Sequence, residues 1–262
     1  MNRSLLFLSL AVLLGPAPGA IAAPDRTAKE IQDCLRANAP THTSVQTITL
    51  RSVDRMGAQT DSSAEIFWRS YDEGNRVLMR IHEPLTRRGS ALLLIQKGDR
   101  SDMFMYLPEL RRTKRISQHS MSGSMFGTDL SYEDFERLQG LGEDADPKKL
   151  PDEEIEGRTA HVIEITPARG GESEYERVVA YVEAERCVPL RIDLYEAGDR
   201  LRKVMSFPLE EIKPTKNGFL PHLIRVEDRI DGTHTDLIIE KIKFDAKIPN
   251  SYFSSGKLEF GR

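Results

Sequence analysis

From Val45 onward the apolar residues of this chain recur every second position, in short runs cut by turn-forming residues. That rhythm constrains the fold more than any other feature, because a period of two is the mark of a strand with one buried face. Val77, Met79 and Ile81 alternate with Arg76, Arg80 and His82, and only Leu78 interrupts the polar face. Met103, Met105 and Leu107 alternate with Phe104 and Tyr106, so both faces of that run read as covered. His161, Ile163 and Ile165 keep the rhythm, as do Val188, Leu190, Ile192 and Leu194 against Arg191 and Asp193. Ile224, Val226 and Ile230 are placed on one face with Asp228, and Leu237 and Ile239 oppose Asp236 and Glu240. Glu73-Gly74-Asn75, Lys97-Gly98-Asp99, Ala197-Gly198-Asp199, Lys216-Asn217-Gly218 and Asp231-Gly232 supply the turns. The pattern predicts about ten or eleven strands joined mainly as antiparallel hairpins. A sheet of that size has to curl, split or close on itself.

Two helices are predicted against this background. Thr27-x-x-Glu30 is a capping box and Pro40 blocks continuation, so residues 28–37 read as helix, with Ile31, Cys34 and Leu35 on one face. The second closes the segment YLPELRRTKRISQHSMSGSMFGTDLSYEDFERLQG, residues 106–140. There Ser131 and Asp134 make a capping-box-like start, Leu130 and Phe135 a hydrophobic staple, and Gly140 a C-terminal cap. Nine residues cannot hold a helix in water alone, so its Tyr132, Phe135 and Leu138 face must dock on the sheet. Before it, Met121, Met125 and Phe126 stand in a Ser/Gly-rich loop. Apolar side chains gain nothing from water there, and the loop makes sense if they cover or enter an apolar cavity. Residues 142–153, GEDADPKKLPDE, are charged and Pro-containing and read as an exposed linker.

The same segment carries a resemblance. YLP-x-x-RR-x-x-RI followed by M-F-G-T-D-L-S-Y-E-D resembles the LolA-like outer-membrane lipoprotein-sorting family, whose pattern usually runs F-M-G-S-D, an apolar residue, S/T-Y-E-D. Met125 and Phe126 are transposed and Thr128 replaces Ser, while Gly127, Asp129, Tyr132 and Asp134 stay in register. The resemblance implies an incomplete β-barrel, mainly β, whose concave apolar side is covered by helices and a loop. It also implies a soluble periplasmic carrier of lipid or of lipoprotein acyl chains, with a partner at the inner or outer membrane. Some relatives accompany RND-type export permeases, and others are regulatory interaction domains.

The ends of the chain fit an exported protein. Arg3, the apolar run Leu5 to Leu14 and Ala20-Ile21-Ala22 read as a cleaved signal peptide over residues 1–23, too short to span a bilayer. No cysteine succeeds the cleavage site for lipid attachment, so a periplasmic protein in transient contact with membranes is expected. The remaining residues, 24–262, are expected to form one domain and to act as a monomer. Cys34 and Cys187 are an even pair in an oxidising compartment, which favours a disulfide across a loop of about 150 residues; two buried thiols are the alternative. The formal charge of −4 argues against nucleic-acid binding. The six histidines show no metal-ligand spacing, and G-x-S-x-G, G-x-x-x-x-G-K-[ST] and G-x-G-x-x-G are absent. Asp129, Glu133 and Asp134 sit where carboxylates complement a helix dipole rather than where they catalyse. Neither an enzyme nor a cofactor is expected.

What remains is binding. A buried acyl chain gains about 0.8 kcal/mol per CH₂, so a carrier needs a deep apolar cavity that still releases its cargo. Methionine suits that role, and Met79, Met103, Met105, Met121 and Met125 are five of the eight in the chain. The candidate cavity wall is Trp68, Val77, Met79, Ile81, Leu92, Leu94, Met103, Met105 and Leu107. Phe67 and Trp68 point to opposite faces; the spacing does not decide which faces inward, and Trp68, on the side of Ile66, is counted with the wall. The candidate lid is Met121, Met125, Phe126, Leu130, Tyr132, Phe135 and Leu138. Arg87, Arg88, Arg111, Arg112 and Arg115, with Lys114, are a candidate basic rim for anionic headgroups or an acidic partner. The competing expectation is an interaction or sensing module whose cavity is permanently plugged.

Overall fold

The structure, a computed structural model, describes residues 25–40, 42–98, 100–140, 147–167, 173–216 and 218–260. The predicted signal peptide and residues 142–146 of the predicted linker lie outside them. The chain opens with α1 (Ala28–Ala37) and continues through six strands: β1 (Thr43–Val53), β2 (Gln59–Tyr71), β3 (Gly74–Glu83), β4 (Ala91–Lys97), β5 (Arg100–Leu107) and β6 (Arg112–Arg115). After α2 (Tyr132–Leu138) come β7 (Lys148–Ile155), β8 (Arg158–Ile165), β9 (Arg177–Glu183), β10 (Pro189–Glu196) and β11 (Arg200–Ser206). A small hairpin of β12 (Ile212–Thr215) and β13 (Gly218–Pro221) precedes β14 (Leu223–Asp228) and β15 (Thr233–Phe244).

Thirteen of these strands form one antiparallel sheet in the order β6-β5-β4-β3-β2-β1-β15-β14-β11-β10-β9-β8-β7. The expected strongly curved, open sheet is present, and the barrel is not closed. Flat, it would be roughly 55–60 Å wide at ordinary strand spacing, which is why it curls around a core. The strand count exceeds the expected ten or eleven because β6, β12 and β13 are four residues long and carry no apolar alternation. The linker reading of residues 148–153 is also corrected, since they belong to β7. β7 has charged residues and Pro151 because it is an edge strand, where such residues discourage pairing with other chains. Ile230 does not continue the face of Val226; it lies in the β14–β15 turn and is exposed.

Each face of the sheet has its own cover. On the inner face, α1, α2 and the loop before α2 close over one large apolar cluster drawn from both halves of the sheet. Both predicted capping boxes are formed, at Thr27/Glu30 and Ser131/Asp134. α1 is tied to the β9–β10 turn by the Cys34–Cys187 disulfide, with Cα atoms 5.6 Å apart. Beside it, the Asn38 side chain donates to the Cys187 carbonyl at 2.7 Å and accepts from the Phe219 amide at 2.9 Å. Gly218 is required there: a Cβ would lie 2.0 Å from Asn38 Oδ1. On the outer face, residues 246–260 run as a strap over β2–β5, burying Leu78 and Leu93 beneath Ile248, Phe253 and Leu258. Arg69, Arg76 and Arg80 donate to the strap carbonyls of Ile248, Phe253 and Leu258 at 2.9, 3.3 and 3.0 Å. Leu78 interrupts the polar alternation of β3 because that strand is covered on both sides.

Candidate functional site

The candidate site is the inner face beneath the segment between β6 and α2. Trp68, Val77, Met79, Ile81, Leu92, Leu94 and Met103 are all buried in the inner cluster, and Met105 packs against it. Trp68 rather than Phe67 points inward; Phe67 packs on the strap, its ring 5.1 Å from that of Tyr252. Leu107 departs from the expected wall: at the end of β5 it is half-buried and outside the apolar clusters.

The predicted lid residues fill this space. Met121, Met125, Leu130, Tyr132 and Phe135 are buried in the same cluster, and Phe126 and Leu138 pack against it. The loop folds back onto the first turn of α2: the Met125 amide donates to the Leu130 carbonyl at 2.7 Å, and the Glu133 amide to the Met121 carbonyl at 3.0 Å. The Tyr132 hydroxyl reaches Met105 Sδ at 3.3 Å, and burial raises its pKa. What stays open is at the edge of the lid. A cavity of about 200 Å³ is lined by Met103, Ile116 and Met121 together with Ser101, Asp102, Arg115, Ser117 and Gln118. A neighbouring one of about 360 Å³ shares Ser101, Asp102, Arg115 and Gln118 and adds Ile95, Lys97 and Arg100.

Polar contacts fasten the lid to the sheet around its perimeter. The Asp129 carboxylate accepts from the hydroxyls of Thr233 and Thr235 on β15, and the Asp129 amide donates to Thr235 Oγ1 at 3.0 Å. Arg87 donates to the Phe126 carbonyl, and Ser101 on β5 to the Glu136 carboxylate. The firmest attachment is a buried ionic group beneath α2. Asp134 Oδ2 accepts from its own cap at Ser131 N (2.8 Å) and from Lys203 Nζ on β11 (2.8 Å), while Oδ1 accepts from the Tyr175 hydroxyl (2.8 Å). Lys203 and Asp134 are 5% and 0% exposed, so water contributes almost nothing to their charges. Burial would depress the Lys203 pKa, but the Asp134 and Glu174 carboxylates outweigh it and the pKa is raised. Burial raises that of Glu174 against the pull of Lys203, and burial followed by the Asp134 charge pushes Tyr175 well above its ordinary value. Glu133 is also buried, accepting from Ser173 Oγ at 2.6 Å and Arg137 at 3.0 Å. The sequence reading placed Asp134 as a helix cap and missed its second role. The available signal was Lys203 itself, a cation on the inward parity of β11 that Met205 shares.

The expected basic rim is divided. Arg88, Arg111 and Arg112 are exposed at the β3–β4 and β5–β6 connections, which meet at one end of the sheet. Arg87, from the same connection as Arg88, turns toward the lid instead. Arg115 lies at the other end of β6, paired with Asp102 beside the cavity mouth.

A protein-family model described as "Uncharacterized protein" matches residues 73–260, well over half of the chain. The chain belongs to that family. Its fold is LolA-like. An outer membrane lipoprotein-sorting protein domain from Vibrio parahaemolyticus superposes with a TM-score of 0.80 at 22% identity, covering 88% of this chain and 97% of its own. A DUF1329 family protein from Desulfovibrio piger gives 0.79 at 23% identity, over 89% and 100%. A LolA superfamily protein from Nitrosomonas europaea gives 0.71 at 20% identity, over 88% and 98%. No curated protein matches this sequence. The shared fold thus covers 88–89% of this chain.

Proposed function

We propose that this protein is a periplasmic carrier that binds a lipid, or the acyl chains of a lipoprotein, on the inner face of its half-barrel and hands it on without chemical turnover. The observation that carries the reading is the lid: Met121, Met125 and Phe135 occupy the concave apolar volume from a loop and a short helix rather than from the sheet. Displacing them would leave the methionine- and leucine-rich wall of β3–β5 for an acyl chain. The cavity beside Met103 and Met121 is where the lid edge already stands clear of the sheet. Export depends on residues 1–23 acting as a signal peptide, and an envelope partner such as an RND-type permease would accept or supply the cargo.

A second reading has an observation of its own. The buried Lys203–Asp134 pair fixes α2 to β11, as expected of an interaction module whose plug never leaves. Native mass spectrometry of protein exported by its own leader, with organic extraction of any bound material, separates the two. A carrier retains lipid in fixed stoichiometry, or takes up a fluorescent fatty-acid probe, and Met125→Asp reduces uptake at least tenfold. Thr233→Val/Thr235→Val, which frees Asp129 without touching the apolar wall, increases uptake. A bare mass with no uptake by the wild type or the lid-loosened variant would leave the plugged module.

A further inference from the structure

The four exposed large apolar side chains among the described residues are Met56, Leu85, Leu110 and Ile230, at 85%, 75%, 49% and 41% exposure. Isolated exposed hydrophobic residues are ordinary, but their positions here are not scattered. Leu110 is at the β5–β6 tip, Leu85 at β3–β4, Met56 at β1–β2 and Ile230 at β14–β15. The sheet order β6-β5-β4-β3-β2-β1-β15-β14 makes these four consecutive hairpin tips on one rim. Neighbouring tips are two strands apart, roughly 10 Å at ordinary spacing. The first two nearly touch, since a Cβ on Gly89 would lie 3.5 Å from Pro108 Cγ.

The charge on these tips differs from that of the whole chain. Arg55, Arg88, Arg111, Arg112 and Arg229 are exposed beside the four apolar residues, interspersed with the exposed carboxylates Asp54, Glu83, Glu109 and Asp231, so the tips carry a small excess of positive charge on a chain whose formal charge is −4. Asp54 is occupied in capping its own turn, accepting from the amides of Met56 and Ala58 at 2.8 and 2.9 Å. Glu83 lies 3.8 Å from Arg88, Glu227 pairs with Arg229 and Asp231 with Arg202. Arg55, Arg111 and Arg112 have no carboxylate partner among the described residues. We propose that this rim is a docking edge for an anionic lipid bilayer, the four apolar tips entering the headgroup boundary while the arginines meet phosphate oxygens. Separate apolar protrusions, each beside arginine, suit a deformable surface that closes around every tip. A rigid protein partner would need four matching pockets. The proposal is independent of what the inner face carries, because the rim is formed by hairpin tips outside the apolar cluster.

Co-sedimentation of the purified protein with phosphatidylglycerol/phosphatidylethanolamine vesicles and with neutral phosphatidylcholine vesicles tests it. The expected result is binding to the anionic vesicles that weakens with salt. Leu85→Asp/Leu110→Asp should weaken it at least tenfold, and Arg111→Glu/Arg112→Glu should also weaken it. Lys241→Glu/Lys243→Glu, an equal charge change away from the rim, should leave binding within twofold. Thermal melts check folding, which substitutions at exposed positions leave intact. The proposal is overturned if the wild type ignores anionic vesicles, which would assign the rim to an acidic protein. It is equally overturned if the Leu85/Leu110 variant binds as the wild type does, or if the Lys241/Lys243 variant loses as much as the Arg111/Arg112 variant.

Discussion

Lys203 shows how one side chain can anchor a helix to a sheet. It sits on the apolar side of β11, and its charge is matched by Asp134 and Glu174 rather than by water. Removing one member of a buried pair strands the other, so Lys203→Met should lower stability by about 3–5 kcal/mol in urea denaturation. A loss under about 1 kcal/mol would mean that the α2 attachment lies elsewhere. Glu174 gives the group a pH dependence of known sign. Its pKa is raised by burial, so the folded state holds that proton more tightly than the unfolded state. Its contribution is complete below the ordinary value of 4.5 and is lost as the pH rises through the folded value. Glu174→Gln should therefore gain stability relative to wild type between pH 4 and pH 7. Parallel melts showing a constant or shrinking difference would contradict this.

Among the elements, the strap is as necessary as the lid. β3 and β4 are apolar on both faces, and residues 246–260 bury their outer one. Phe253 is 0% exposed at the centre of the strap. Phe253→Ala should cost about 3–5 kcal/mol, mostly by loosening the strap. Hydrogen exchange should then accelerate in residues 246–260 and on β3–β4, while α2 stays protected. Uniform acceleration would show that strap and lid unfold as one unit. The inward burial of Met121 and Met125 was legible because apolar residues in a Ser/Gly loop are anomalous. The strap was hidden because its anchors are arginines binding main-chain carbonyls, which leave no spacing or charge pattern.

At the scale of the molecule, the long connection is the one between α1 and the β9–β10 turn. The disulfide spans a sequence separation of 153, and chain-entropy reasoning gives it up to about 5 kcal/mol. Reduction should lower the melting temperature on the order of 10 °C, with Cys34→Ser/Cys187→Ser melting like the reduced wild type. If reduction left the melting temperature of the wild type unchanged, the bond would not be a global staple. The sheet also closes over a long sequence distance where β1 pairs with β15, a contact made only after all the other strands have been synthesised.

Local patterns determined much of this protein: the strand rhythm, both capping boxes, the inward methionines and the segment with LolA-like resemblance are written within a few residues of one another. Period, capping and turn chemistry act over such distances, so a linear reading recovers them. Tertiary structure alone decided which of Phe67 and Trp68 faces inward, that residues 148–153 pair as an edge strand, and that Arg87 and Arg115 leave the basic rim. It also decided that Asp134 meets Lys203 across 69 positions of sequence. Those outcomes depend on which strands become neighbours and which face a distant segment covers, and the curvature of the whole sheet settles both.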